Sequence, residues 1–145
     1  VLYFDTSFLA PLILPGATSE KLAVFVAALS GDELTVRNWT MVEFSSLLAR
    51  EVRMGGLDGR AASQAGVRFE TMVSASFSVI LPVADDFSLP RQYLGRFETG
   101  LRAGDAFHLA IANNHRARVI YTLDKGLFKA GNILGLPVSM GIRLV

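Results

Sequence analysis

Four acidic residues stand out by type and position. Asp5 ends the apolar run "VLYFD", Glu43 lies in "TMVEFSSLLAR", Asp105 in "GDAFHLAIA", and Asp124 ends "VIYTLD". Carboxylates gathered at one place repel one another, raise one another's pKa and destabilise the fold that holds them. A hard divalent cation turns the same group into a good set of oxygen ligands. The chain has no cysteine, and an acid-only donor set selects Mg²⁺ or Mn²⁺ over zinc.

Each acid also has a purely structural explanation. Asp5 in "DTS" and Asp124 in "LDKG" can cap the helices that follow, or make Asx turns. Asp105 follows Gly104 at the start of a helix, where an acid meets free N–H groups. Glu43 completes a capping-box pattern with Thr40 as the N-cap. Only their joint placement distinguishes a reactive site from four caps.

That placement depends on the elements. Segments 2–4, 34–36, 79–81 and 119–122 have the composition of short buried strands, with "PVSM" after Pro137 as a weaker fifth. Helical spacing joins Leu22, Phe25, Val26 and Leu29, then Phe44, Leu47, Leu48 and Val52, then Ala62, Ala65, Phe69, Met72 and Val73. "DAFHLAIANN" is apolar almost all round, as in a helix packed on two sides. Strands alternating with helices predict a mainly parallel sheet with helices on both faces, a three-layer α/β/α sandwich. In such a sheet the carboxyl ends of the strands share one edge, so Asp5 and Asp124 emerge side by side if their strands are neighbours. The helix carrying Asp105 leads into the Asp124 strand. Glu43 lies about 40° round its helix from Leu47, toward the core.

Composition bounds the rest. With 145 residues and no shift in composition, the expectation is one domain over 1–145. The most membrane-like stretch, "FLAPLILPGA", is interrupted by Pro11 and Pro15 and falls short of the ~20 apolar residues of a span. No signal peptide or transmembrane helix is expected, and the absence of cysteine fits a cytoplasmic protein. A hydrophobic fraction of 51% and a mean hydropathy of +0.40 predict a buried protein interface. Net charge is +1, but setting the four acids aside leaves nine acidic residues against 14 basic, a remainder of +5.

The segments "YFDTSFL", "EFSSLLAR", "GDAFHLAIA" and "YTLDKGLF", in this order and spacing, resemble the four acidic motifs of PIN-domain ribonucleases. Within these the likeness is to the VapC toxins of bacterial toxin–antitoxin pairs, and it spans essentially the whole chain. The resemblance implies Asp5, Glu43, Asp105 and Asp124 as catalytic residues, with Thr6, Ser7 and Thr122 matching the family's hydroxyl positions. It also implies a parallel sheet, a homodimer and a cognate VapB-like antitoxin. A ribonuclease of this kind is expected to cleave RNA internally with metal-activated water. Asp5 and Asp105 are assigned to the metal, Asp124 to direct or water-mediated coordination, and Glu43 to the water. Thr6 and Thr122 would orient carboxylates. Arg102, Lys125 and Lys129, close in sequence to the acids, are candidates for RNA phosphate contacts. The antitoxin is expected to insert an Arg or Lys among the acids in place of the metal.

Two other functions compete. A receiver-like phosphoacceptor module also gathers acids and Mg²⁺, but needs an Asp ending a middle strand, whereas Glu43 falls in a helical pattern. A catalytically silent PIN-like binding module would keep the fold without a carboxylate-dependent Mn²⁺ site. Other residues receive structural expectations. His108 should be a buried, hydrogen-bonded side chain, and His115 a cation at a helix C-terminus. Asp85 and Asp86 should lie in a solvated loop, and Trp39 in the core or an interface rather than as a base-stacking platform. "RMGGLDGR" lacks the setting of a phosphate loop.

Overall fold

The computed structural model describes residues 1–29 and 33–144. Its elements run β1 (Leu2–Phe4), α1 (Thr6–Ile13), α2 (Ser19–Ala27), β2 (Leu34–Arg37), α3 (Trp39–Arg53), α4 (Gly59–Ser76) and β3 (Ser78–Ile80). They continue with a 3₁₀ turn (Ala84–Phe87), α5 (Ser88–Gly95), a second 3₁₀ turn (Phe97–Thr99), α6 (Ala103–Asn114), β4 (Val119–Tyr121), α7 (Lys125–Ile133) and β5 (Val138–Ser139). The five strands form one sheet in the order β3-β2-β1-β4-β5, and every pairing is parallel.

Alternation along β1 explains the layers. Leu2 and Phe4 face a core built with Phe8, Leu9, Leu22, Phe44, Leu48, Phe69 and Val73 from α1 to α4. Tyr3, one residue between them, points to the other face and packs with Leu109, Ile111 and Leu127 of α6 and α7. The result is the expected α/β sandwich, helices on both faces of a parallel sheet. On the first face, Phe44 stacks on Phe69 with ring centroids 4.0 Å apart, which clamps α3 to α4 and fixes the helix that carries Glu43. No described helix is long and apolar enough to cross a membrane.

Several local expectations are corrected. The third strand starts one residue earlier, at Ser78, and is an exposed edge rather than a buried strand. The stretch that follows the expected Asp85–Asp86 loop contains α5, and Pro90 falls in the first turn of that helix, where its missing N–H costs nothing. Thr40 does not cap α3. The N-cap is Asn38, Thr40 lies inside the first turn and buried, and its hydroxyl has no partner among the described residues. Asp86 is not solvated. It is fully buried and accepts from the Val83 N–H at 2.8 Å and from Asn114 Nδ2 at 2.8 Å, pinning the first 3₁₀ turn to the end of α6. Trp39 is half exposed, outside the core.

Candidate active site

β1 and β4 are adjacent, although β1 is followed in sequence by β2 on its other side. The crevice between them is the point where chain connections turn in opposite directions, which is where open parallel sheets bind ligands. Asp5 and Asp124 leave their strands at this point. Both are helix caps as well: Asp5 Oδ1 accepts from Ser7 N at 3.0 Å, and Asp124 Oδ1 accepts from Gly126 N at 2.8 Å and Leu127 N at 3.1 Å.

Two hydroxyls stitch the turns together. Ser7 Oγ donates to Asp5 Oδ2 at 2.7 Å and accepts the backbone N–H groups of Leu123 at 3.0 Å and Asp124 at 3.1 Å. The fully buried Thr122 hydroxyl donates to the same Asp5 oxygen. Asp5 is thereby held almost completely out of water, 5% exposed, with three donors on its carboxylate.

Glu43 reaches the site from α3 and is held through one oxygen. Its Oε1 accepts from His108 Nε2 at 2.6 Å and Thr6 Oγ1 at 2.9 Å, and pairs with Arg37 Nη2 at 3.5 Å. Burial alone would raise its pKa, but the hydrogen bond and charge of His108, the charge of Arg37 and the Thr6 bond bring it below the usual carboxylate value. His108 is itself buried, with Nδ1 2.7 Å from the Tyr3 hydroxyl. A carboxylate only accepts, so Nε2 carries the hydrogen toward Glu43. Burial, opposed by Arg37 and reinforced by Asp5 and Glu43, raises the Tyr3 pKa well above normal and keeps its hydroxyl protonated.

Asp105, half buried in the first turn of α6, behaves oppositely. Desolvation first, then the charges of Asp124 and Asp5 and more weakly Glu43, raise its pKa, and His108 only partly offsets them. The four acids therefore feel one another, but they do not form a ready-made ligand cage: among the described residues no group of three acidic or histidine side chains is set to hold a metal ion. Asp124 spends Oδ1 on its helix cap, Glu43 spends Oε1 on its three donors, and both oxygens of Asp5 accept hydrogen bonds. The oxygen-only donor chemistry and the repulsion centred on Asp105 nevertheless fit a hard divalent cation.

Thr6 and Thr122 lie where the sequence places them, each on a carboxylate. Arg102, Lys125 and Lys129 are exposed, Arg102 just before α6 and the two lysines on α7. Sequence reasoning missed Arg37. It is 2% exposed at the end of β2, where Nη2 donates to the Gly104 carbonyl at 3.0 Å besides pairing with Glu43. The available signal was its position: a charged residue closing an interior strand emerges at the same sheet edge as Asp5. His108 is buried and hydrogen-bonded as expected, but its partner is a site acid.

Sheet order and acids together define a parallel α/β sandwich with carboxylates at the carboxyl edge of its central strands. The chain belongs to the PIN domain family, whose model matches residues 2–133. Its fold is similar to that of VapC20 from Mycobacterium tuberculosis, described as a Sarcin-Ricin loop cleaving toxin, with 21% identity, 99% of each chain covered and a TM-score of 0.72. It is also similar to FitAcB from Neisseria gonorrhoeae (18% identity, 99% of this chain and 100% of that one, TM-score 0.77). A third similar structure is VapBC-1 from nontypeable Haemophilus influenzae (16%, 99% and 100%, TM-score 0.71). A search of curated proteins finds no match.

Proposed function

We propose that the protein is a metal-dependent endoribonuclease acting as the toxin of a toxin–antitoxin pair. The observation that carries this reading is geometric: Asp5 and Asp124 emerge from the neighbouring parallel strands β1 and β4 at the sheet's switch point, and Glu43 is tied to the same site through Thr6 and His108. Membership of the PIN domain family supports it, as do relatives described as a cleaving toxin and as the VapBC and FitAB pairs. A divalent cation, Mg²⁺ or Mn²⁺, held by Asp5 and Asp105 with Asp124 directly or through water, would lower the pKa of water and neutralise charge on the phosphate. Glu43, kept ionised by His108, Arg37 and Thr6, orients the attacking water; its lowered pKa makes it a poor final resting place for the proton. Ser7 and Thr122 hold Asp5 in place. Arg102, Lys125 and Lys129 offer charge to neighbouring RNA phosphates.

The whole chain acts as one domain in the cytoplasm, where RNA is the substrate. Exposed Phe97, Leu81 and Val24 provide apolar surface for a homodimer and for an antitoxin segment that places an Arg or Lys among the acids. The test is cleavage of total RNA by the purified protein, with 5′-end mapping of the products, in Mg²⁺, in Mn²⁺ and in excess EDTA. Internal cuts that require the metal support the reading; cleavage surviving in EDTA defeats it. A protein that neither cleaves nor shows a carboxylate-dependent Mn²⁺ site is a silent binding module.

A further inference from the structure

Beside the acids lies a second feature that their chemistry does not use. A cavity of about 350 Å³ is lined by Trp39, Pro82, Phe87 and Phe107, with Arg37 and Gly104 on the side of the acids. Its size falls at the lower end of pockets that hold small ligands, about 300 to 1,000 Å³. Phe87 packs edge-on against Phe107, centroids 5.1 Å apart at 75°, yet Phe87 and Trp39 each remain about half exposed. Two large aromatics left open on one rim form a surface with unspent apolar area.

Arg37 says what kind of ligand fits. It is the one charged side chain in this lining, and its Nη2 is engaged with Gly104 and Glu43. Its guanidinium carbon lies 6.0 Å from the centroid of the Phe107 ring, so the pocket sets a guanidinium plane against its aromatic walls. A planar ring with apolar faces and polar edges fits such a surface better than an aliphatic side chain does. Nucleobases have that chemistry, and single-stranded RNA is read by splaying bases onto aromatic and arginine side chains.

We propose that this pocket binds one unstacked nucleobase of the RNA, next to the scissile phosphate. The proposal rests on the ribonuclease reading and adds a subsite to it. Continuity with the acids supports the position: Arg37 touches Glu43, and Gly104 immediately precedes Asp105. A base held here fixes the strand's register over the carboxylates and makes cleavage sensitive to base identity and to single-strandedness.

Trp39 is the only tryptophan in the chain, so its fluorescence reports the pocket directly. The wild-type protein is titrated with AMP, GMP, CMP and UMP in turn, and with ribose 5-phosphate as a baseless control. Saturable quenching by at least one nucleotide and none by the control is expected, with the affinity about tenfold weaker in Phe87→Ala. In cleavage of single-stranded RNA, Trp39→Ala should raise KM about tenfold with little change in kcat, and Trp39→Phe should restore most of the loss. Circular dichroism checks that both half-exposed sites tolerate substitution. If RNA is cleaved but no nucleotide quenches and Trp39→Ala leaves KM unchanged, the pocket proposal is overturned while the ribonuclease reading stands. If nucleotides quench but RNA is never cleaved, the catalytic reading fails and the base site survives. Quenching by a purified antitoxin alone, with all four nucleotides silent, assigns the pocket to a protein and also overturns the proposal.

Discussion

The hydroxyl of Thr122 donates to Asp5 across 117 residues of sequence, and both groups are buried. This bond joins the ends of β1 and β4 and leaves Asp5 with little freedom to move. Thr122→Val keeps the shape but removes the donor from a buried carboxylate. We expect a loss of about 1–3 kcal/mol, a fall of several degrees in Tm, and reduced cleavage. Thr122→Ser should recover most of both; if Thr122→Val melts like the wild type, Asp5 does not depend on this bond.

Asp105→Asn removes the charge that its neighbours oppose. The variant should not cleave RNA, yet should be at least as thermally stable as the wild type when no divalent cation is added. Added Mg²⁺ should raise the wild-type Tm and leave that of the variant unchanged. Asp5→Asn should also abolish cleavage. A less stable Asp105→Asn protein in metal-free buffer would contradict the repulsion inferred from its raised pKa.

His108→Leu deprives Glu43 of its shortest hydrogen bond and leaves the Tyr3 hydroxyl without its partner. Unsatisfied buried groups of this kind cost about 1–3 kcal/mol each. The expected result is a lower denaturant midpoint, with kcat falling more than KM changes. Equal stability in urea would show that the Tyr3–His108–Glu43 chain contributes nothing to the fold.

Asp86 gives the protein a pH dependence separate from the acidic site. Burial would raise its pKa, but hydrogen bonds from Asn114 and the Val83 N–H, and the His115 ring at 3.6 Å, hold it below the ordinary carboxylate value. A depressed folded pKa adds stability above the unfolded pKa, and this stability is lost as pH falls through the folded value. Asp86→Asn should therefore destabilise the protein at neutral pH, with the gap to wild type narrowing in acid. Chemical denaturation at neutral and acidic pH measures it, and a gap that widens in acid would reverse the sign.

A homodimer predicts a light-scattering mass about twice the 15.7 kDa of the chain at micromolar concentration. Phe97, 88% exposed, is the most open large apolar residue described, and Phe97→Glu should shift any self-association toward monomer if it lies in the interface.

The parallel sandwich and the adjacency of Asp5 and Asp124 were legible because they follow from local signals. Short apolar runs gave the strands, two of them leading to Asp5 and Asp124; 3.6-residue spacing gave α2, α3 and α4, an all-round apolar run gave α6, and parallel topology did the rest. What escaped were partners distant in sequence. Arg37 reads as an ordinary surface cation until α6 presents the Gly104 carbonyl to it. Asp86 reads as solvated until Asn114 and His115 close over it. Thr40 matched a capping-box pattern, but Glu43 spends its carboxylate on Thr6, Arg37 and His108 rather than turning back to cap its own helix. Long-range hydrogen bonds won over the local motif in each case.

The position of β1 between β2 and β4 also bears on how the protein is made. During synthesis β2 emerges soon after β1, but β4, Thr122 and Asp124 follow only near the end of the described chain. A nascent chain can pack α1 to α4 against one face of β1 and β2 while Asp5 still lacks its neighbours. The acidic site therefore comes into existence only once β4 has been made, and a ribosome that stalls before residue 122 releases a product with part of a core in which Asp5 lacks Thr122 and Asp124.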